Sequence, residues 1–308
     1  VFACLNTALD RTVEVSRLTP GTVHVAHAEA EAAGGKGMNA ARVAGRLGLR
    51  TRVVAFAGGV AGDRVRDLAA AEGIPVEWVA TAGETRTCTV IVDREHGATV
   101  VNGRGPAVTG GELAAFEARV LTLAAPGRVL ALAGSLPPGV DRGVYARWID
   151  RWREAGGGVT AVDAAGDVLV AAVAAAPSVV KVNASEFAAL CAGRAEAAVA
   201  QGLLERGVAA VVVTRGARGS TAYTRGQAWR VAAGDGPVVN ATGAGDAFFA
   251  GLLTGWSRDL PVRHRLALAA AAAARSVAAA RPAAVDLAGV DGRAALGAVE
   301  PVDAGGPA

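Results

Sequence analysis

The feature that most limits what this chain can fold into is a repeated alternation of short, continuous apolar runs with longer stretches of helical spacing. Runs at 1–5, 52–57 (RVVAFA), 128–133 (RVLALA), 159–163 (VTAVD), 178–182 (SVVKV) and 209–214 (AAVVVT) carry Val, Leu and Ala on both sides of the chain rather than every second residue. A strand apolar on both faces has to be covered on both faces, which is the condition of a parallel sheet between two layers of helices. Helices are predicted over 36–47, 62–72, 109–124, 141–155, 166–175, 185–191, 195–206 and an alanine-rich 266–280.

A second group of segments behaves differently. Residues 11–16 (RTVEVS), 22–30 (TVHVAHAEA), 85–93 (TRTCTVIVD) and 98–102 (ATVVN) alternate apolar and polar side chains, with a hairpin turn at 95–97 between the last two. Period-two alternation predicts a sheet with one face toward solvent. These segments predict a small four-stranded layer separate from the parallel sheet, carrying an apolar side of Val13, Val15, Val23, Val90 and Val92 that calls for cover. The Gly/Pro-rich tail from 300 onward predicts a frayed end.

The bulk chemistry removes several function classes. Basic side chains number 31 against 28 acidic, a net charge of +3, with no block of like charge and only 4% aromatics, so no nucleic-acid partner is expected. Cys4, Cys88 and Cys191 lie far apart and odd in number, which argues against a disulfide framework or a structural zinc and for a reducing, cytoplasmic setting. His24, His27, His96 and His264 stand isolated. The most apolar stretch, 266–274, stops at Arg275 and is too short to span a bilayer, and no secretory apolar region opens the chain.

Two glycine turns carry the chemistry. The first is Asn240-Ala241-Thr242-Gly243-Ala244-Gly245-Asp246, followed by an apolar helical run. Its glycines expose bare amides, and the helix after them aims free N–H groups and partial positive charge at the same spot. Such a turn suits charge developing on a transferring phosphoryl group, and Asp246 at its rim is placed to accept a proton from an attacking hydroxyl. A plain helix start after a glycine turn would read the same way. The second is Gly34-Gly35-Lys36-Gly37-Met38-Asn39, which fits neither G-x-x-x-x-G-K-[ST] nor G-x-G-x-x-G. Its amides, the Lys36 charge and Asn39 one turn on would suit a phosphorylated polyol; an ordinary strand-to-helix turn is the alternative.

Together, G-G-K-G-x-N near one end and T-G-A-G-D near the other resemble the two signatures of the PfkB-type (ribokinase-like) carbohydrate kinases. The resemblance runs from Leu5 to about Ala280, with 5–11 (LNTALDR), 134–139 (GSLPPG), 181–186 (KVNASE) and 213–219 (VTRGARG) in the expected order. Within the family, N-T-A-L-D-R, E-T-R and G-S-L-P-P-G most resemble the branch of 1-phosphofructokinases and tagatose-6-phosphate kinases. The resemblance implies an α/β fold: one three-layer α/β/α domain over 1–308 with a mainly parallel sheet and a small β-sheet lid, its strands within about 11–31 and 85–103. It implies ATP with Mg²⁺ and a sugar-phosphate acceptor; the uncovered apolar side of the small layer predicts a homodimer joined through the lids.

Residue by residue, Asp246 matches the base, and Gly243, Ala244 and Gly245 the anion hole. Asp10, Gly34, Gly35, Lys36, Asn39 and Asn102 match acceptor positions, and Arg86 a position beside the phosphate already on the acceptor, where a guanidinium fork is apt. Lys181, Asn183, Thr214, Gly216 and Gly219 match nucleotide positions, and Glu186 one that holds Mg²⁺ through water. Each has a plainer alternative: a turn residue for Asp10, a solvated strand residue for Arg86, a helix start for Asn183 and Glu186, a hairpin turn for Gly216 and Gly219.

Departures from the branch pattern gather near the acceptor. Asn102-Gly103-Arg104 replaces an N-E-P, so Arg104 either adds a phosphate contact or faces water, and His24-Val25 stands where an Asn-Arg pair is usual. The implied acceptor is fructose 1-phosphate, followed by tagatose 6-phosphate or fructose 6-phosphate. A kinase for an unphosphorylated sugar or nucleoside, and a sensor that binds without turnover, are the competing readings. An NAD-dependent oxidoreductase lacks its G-x-G-x-x-G turn.

Overall fold

A computed structural model describes residues 1–93, 97–234, 236–279 and 285–303. Its main sheet has ten strands in the order β14-β13-β12-β11-β10-β9-β8-β1-β4-β5. Seven are parallel: β1 (Phe2–Cys4), β4 (Val53–Ala57), β5 (Val76–Ala80), β8 (Leu130–Ala133), β9 (Thr160–Asp163), β10 (Val179–Asn183) and β11 (Ala210–Thr214). An antiparallel extension of β12 (Ser220–Thr224), β13 (Gln227–Val231) and β14 (Val299–Val302) completes one edge. The expected, mainly parallel sheet is therefore present.

The apolar runs work as anticipated, because alternate residues feed two separate cores. Val179 and Val212 point into one, with Met38, Phe248, Phe249 and Leu268, while Val180, Val182, Val211 and Val213 point into the other, with Phe116, Trp148 and Trp152. In α4 (Val144–Glu154), Val144, Tyr145, Trp148, Ile149 and Trp152 form a helical stripe that is wholly buried. Each such side chain contributes on the order of 1.5–3 kcal/mol by leaving water.

The second sheet has four strands, in the order β3-β2-β6-β7: β2 (Ala8–Val15), β3 (Ala28–Gly34), β6 (Arg86–Asp93) and β7 (Gly97–Asn102). Three expectations need correction here. Residues 22–27 are not a strand; β3 begins at Ala28 and runs on to Gly34, since its register is set by the Ala8–Gly34 to Glu14–Ala28 pairing with β2. The five valines do not share a face, because Val90 and Val92 pair with Thr12 and Glu14, opposite in pleat to Val13 and Val15, and Val23 lies outside the strands. The tail is not frayed from 300, since Val299–Val302 pairs with β13. Of the expected turn, residues 95 and 96 lie outside the described residues, as do His96, residue 280 and 304–308. Among the described residues no helix is long and apolar enough to cross a membrane.

Strand order places the cleft. Moving outward from the centre, β1-β4-β5 runs one way and β8-β9-β10-β11 the other, so the chain reverses direction between β1 and β8. In open parallel sheets a crevice opens beyond the carboxyl ends of the strands at such a reversal.

Candidate active site

A cleft of about 1840 Å³ lies at that point, with main-sheet loops on one side and Asp10, Arg86, Cys88, Val90, Val100 and Asn102 of the small sheet on the other. Every sequence-predicted site residue except Gly34 lines it, including Gly35, Lys36, Asn39, Arg104, Asn183, Thr214, Gly216 and Gly219. Gly34 serves from beneath: a Cβ there would stand 2.1 Å from the Asp10 carboxylate, so only glycine lets β3 lie against it. The two glycine turns, some 200 residues apart in sequence, face each other across the cleft: Asn39 Nδ2 donates to Asp246 Oδ2 at 3.1 Å.

Asp246 sits in the first turn of α8 (Ala244–Ser257), after Gly243 at a φ of 84°, a left-handed value that a side chain would strain. It is buried at 8% exposure. The first helical hydrogen bond here is Ala247 N to Gly243 O at 2.9 Å, so the amides of Gly245 and Asp246 precede it; that of Ala244 leans back to Ala241 O at 3.3 Å. Burial pushes the Asp246 carboxyl up to about 6, against the pull of the Lys36 and Lys181 ammonium groups and the Asn39 amide. Burial likewise pushes Asp10 up to about 6, with Arg42 and Arg86 opposing.

Asp163, at the end of β9, is a site residue that the sequence motifs do not reveal. It is fully buried, accepts Lys181 Nζ on Oδ2 at 2.8 Å and Lys36 Nζ on Oδ1 at 3.0 Å, and so ties one glycine turn to β10 through one carboxylate. Burial works against its charge, but Lys181 and Lys36 outweigh that and hold the carboxyl below its ordinary range. Burial works against Lys36 too, yet Asp163 and Asp246 hold its ammonium above the usual value. A Cβ on Gly245 would stand 3.0 Å from Lys181 Nζ, which places that charge beside the first turn of α8. The signal available in the sequence is a single acid ending an otherwise apolar strand at the end where ligands bind.

Arg86 spends three N–H groups on backbone: Nε and Nη2 donate to Asn6 O at 3.1 and 2.8 Å, and Nη1 to Gly103 O at 3.2 Å. A guanidinium has five, so two remain for a ligand. Arg104 is exposed at the cleft mouth. Asn6, also missed from sequence, donates Nδ2 to Ser135 Oγ at 3.0 Å.

On the far side, Asn183 and Glu186 form a reciprocal cap on α6 (Ala184–Cys191): Asn183 Oδ1 accepts Glu186 N at 2.9 Å, and Glu186 Oε2 accepts Asn183 N at 2.8 Å. The helix-start alternative is thus true of these residues, and both still face the cleft. Gly216 and Gly219 form the turn between β11 and β12, Gly219 lying so close to Val231 O that a Cβ would reach 2.1 Å. Among the described residues no cluster of three or more His, Cys, Asp or Glu could hold a metal ion. Glu186, with one oxygen left over from its cap, fits a Mg²⁺ that keeps its waters and takes its other ligands from phosphates.

A sequence profile described as pfkB family carbohydrate kinase matches residues 3–285, and the chain belongs to that family. Among similar proteins are the 1-phosphofructokinase of Vibrio cholerae, 31% identical over 284 residues (90% of this chain, 89% of the relative), and that of Bacillus subtilis, 27% identical over 269 residues (86% and 88%). Escherichia coli phosphofructokinase-2 solved with substrates and products superposes with a TM-score of 0.85 at 24% identity, covering 96% of this chain and 97% of that one. Thermotoga maritima ribokinase superposes at 0.73 with 18% identity, covering 92% and 94%.

Proposed function

We propose that the chain is an ATP-dependent sugar-phosphate kinase that transfers the γ-phosphate to a primary hydroxyl of a ketohexose phosphate, fructose 1-phosphate first among acceptors, giving fructose 1,6-bisphosphate. The observation that carries this reading is Asp246: a buried carboxylate at a glycine-lined helix start, facing Lys36 and Asn39 of the second glycine turn across one cleft. The names of the similar proteins support the choice of acceptor.

Asp246 takes the hydroxyl proton as the acceptor oxygen bonds to the γ-phosphorus and the bond to the bridging β,γ oxygen breaks; ADP leaves. The amides of Gly243 and Gly245 and the Lys181 ammonium face the phosphoryl oxygens, and that of Ala244 joins them by giving up its bond to Ala241 O. Asn183 and Thr214 border the nucleotide, with Gly216 and Gly219 shaping its turn. Glu186 would hold Mg²⁺ through water, and the ion would supply charge neutralisation at the phosphates. Asp10, Gly35 and Lys36 hold the sugar hydroxyls, and Asn102, Arg104 and the two spare N–H groups of Arg86 hold the phosphate the acceptor already bears. Asp246→Asn should cost turnover about 10²–10⁴-fold. Turnover near that of the unaltered protein refutes the assignment. ADP release with fructose 1-phosphate, fructose 6-phosphate, tagatose 6-phosphate and free fructose side by side identifies the acceptor; activity on free fructose alone would replace this reading with that of a neutral-sugar kinase.

The edge strand β7 is exposed along its whole length, with Val100 at 42% and Val101 at 60%. An open edge of that kind favours a second copy against the small sheet, a homodimer that light scattering would register.

A further inference from the structure

Arg42 lies on α1 (Lys36–Arg46), one turn beyond Asn39, and is buried at 4% exposure. Each of its hydrogen bonds runs to an acceptor, with Arg46 the neighbouring cation on its partner Glu72. Nε and Nη2 clamp the two oxygens of Glu72, at the end of α2 (Gly59–Ala71), at 2.5 and 3.0 Å. Nη2 also donates to Ala33 O of β3, and Nη1 donates to Asn39 Oδ1 at 2.8 Å. The opposite end of the same amide donates to Asp246 Oδ2 at 3.1 Å.

An asparagine amide has a donor end and an acceptor end; a guanidinium only donates and a carboxylate only accepts. Between Arg42 and Asp246 the Asn39 amide therefore has one permitted orientation. We infer that Arg42, held by Glu72, is a positioning residue for phosphoryl transfer: it locks the Asn39 amide so that its NH₂ engages Asp246 Oδ2 and leaves Oδ1 turned to the acceptor hydroxyl. Without Arg42 the amide keeps its donor end on Asp246, but its oxygen loses the donor that fixes it and the base is left with a looser bearing. The link to Ala33 O also ties this lock to the strand that leads into Gly34 and Gly35, so the small sheet and the base share one brace. The inference rests on the reading of Asp246 as the base.

The charged groups that face Asp246 are Lys36 on α1, Asp163 on β9, Lys181 on β10 and, from the small sheet, Asp10 on β2. Substitution at 42 removes none of them, though it takes from Asp10 a charge that opposes its burial, so a changed pH response in such a variant reports the Asn39 amide and the lost Arg42 charge, acting on Asp246 directly and through Asp10. The Asn39→Ala variant, which keeps Arg42, separates those two effects.

The test is a double-mutant cycle on steady-state ADP release, with fructose 1-phosphate or whichever acceptor of the panel is turned over, across about pH 5 to 9. Arg42→Met and Asn39→Ala should each lower kcat about tenfold or more while leaving KM for ATP within about twofold, and the double variant should be no worse than Asn39→Ala alone. Both single variants should move the acidic limb of the profile to higher pH, because the donor to the base's charged form is lost in Asn39→Ala and loosened in Arg42→Met. Arg42→Lys keeps a cation opposite Glu72 but loses the fork, and gives the same cycle with Asn39→Ala should Arg42→Met not fold. Losses that multiply in the double variant, or a fall in kcat with an unmoved acidic limb, overturn the role of Arg42. An active Asp246→Asn overturns the base itself, so the two failures are told apart.

Discussion

Lys181 and Asp163 form a buried ion pair at 2.8 Å, each almost wholly out of water, and the second oxygen of Asp163 is held by Lys36 at 3.0 Å. One carboxylate thus neutralises a cation from β10 and a cation from the first turn of α1. Two ammonium groups this close to each other repel unless an anion sits between them, so Asp163 is what allows both to line one cleft.

Asp163→Asn should therefore be severe. Removing one member of a buried pair leaves uncompensated charge, at a cost of about 3–5 kcal/mol. The loss is read from denaturant unfolding. An unchanged midpoint would mean that the two lysines are solvated well enough not to need their partner.

Arg86 is already anchored to Asn6 O and Gly103 O, so its plane is set before any ligand arrives. A fixed fork suits a phosphate; a lysine keeps the charge but not the geometry. Arg86→Lys should raise KM for a phosphorylated acceptor by about tenfold or more, with KM for ATP unaffected. Equal effects on both substrates would show that Arg86 braces the loop instead.

Trp148 anchors the second core, stacked on Phe116 with ring centroids 5.3 Å apart. Trp148→Ala should cost about 3–5 kcal/mol by opening a cavity. Its indole Nε1 is buried with no hydrogen-bond partner. Trp148→Phe, which removes that idle donor and keeps the stack, should cost less than about 1.5 kcal/mol. A thermal melt on the two variants separates packing from polarity.

Six of the seven parallel strands are legible in the sequence because burial on both faces leaves a local trace, the unbroken Val/Leu/Ala run; β5 (VEWVA), only part-buried at the sheet edge, leaves none and is missed. β3 is not legible either, since AEAEAAG has none of the β-branched character of the neighbouring TVHVAH, and only its pairing with β2 makes it a strand. β14 hides behind Pro301, which reads as a breaker but is tolerated on the last strand of a sheet, where its missing N–H goes unused. The glycine turns are legible because they are contiguous. Asp163 and Arg42 are not, because their meaning lies in partners 127, 18 and 30 residues away that no local motif records.

Asp246 joins activity to stability in opposite senses. Its folded-state carboxyl is raised from 3.8 to about 6, chiefly by burial, so the folded protein holds this proton more tightly than the unfolded chain does. Its contribution to stability is then fully present below about pH 4 and is lost as pH rises through about 6, where the buried group has to ionise. Turnover runs the other way, since the base acts only when ionised: kcat/KM should fall on the acid side of about pH 6. Asp246→Asn has no proton to lose. It should be inert, yet at pH 8 more stable than the unaltered protein by on the order of 1–3 kcal/mol, with the advantage fading toward pH 4. Paired thermal melts of the ligand-free proteins at the two pH values check this. A variant less stable at both would mean that Asp246 is held by its lysine neighbours more strongly than burial opposes it, and the base would then be ionised well below pH 6.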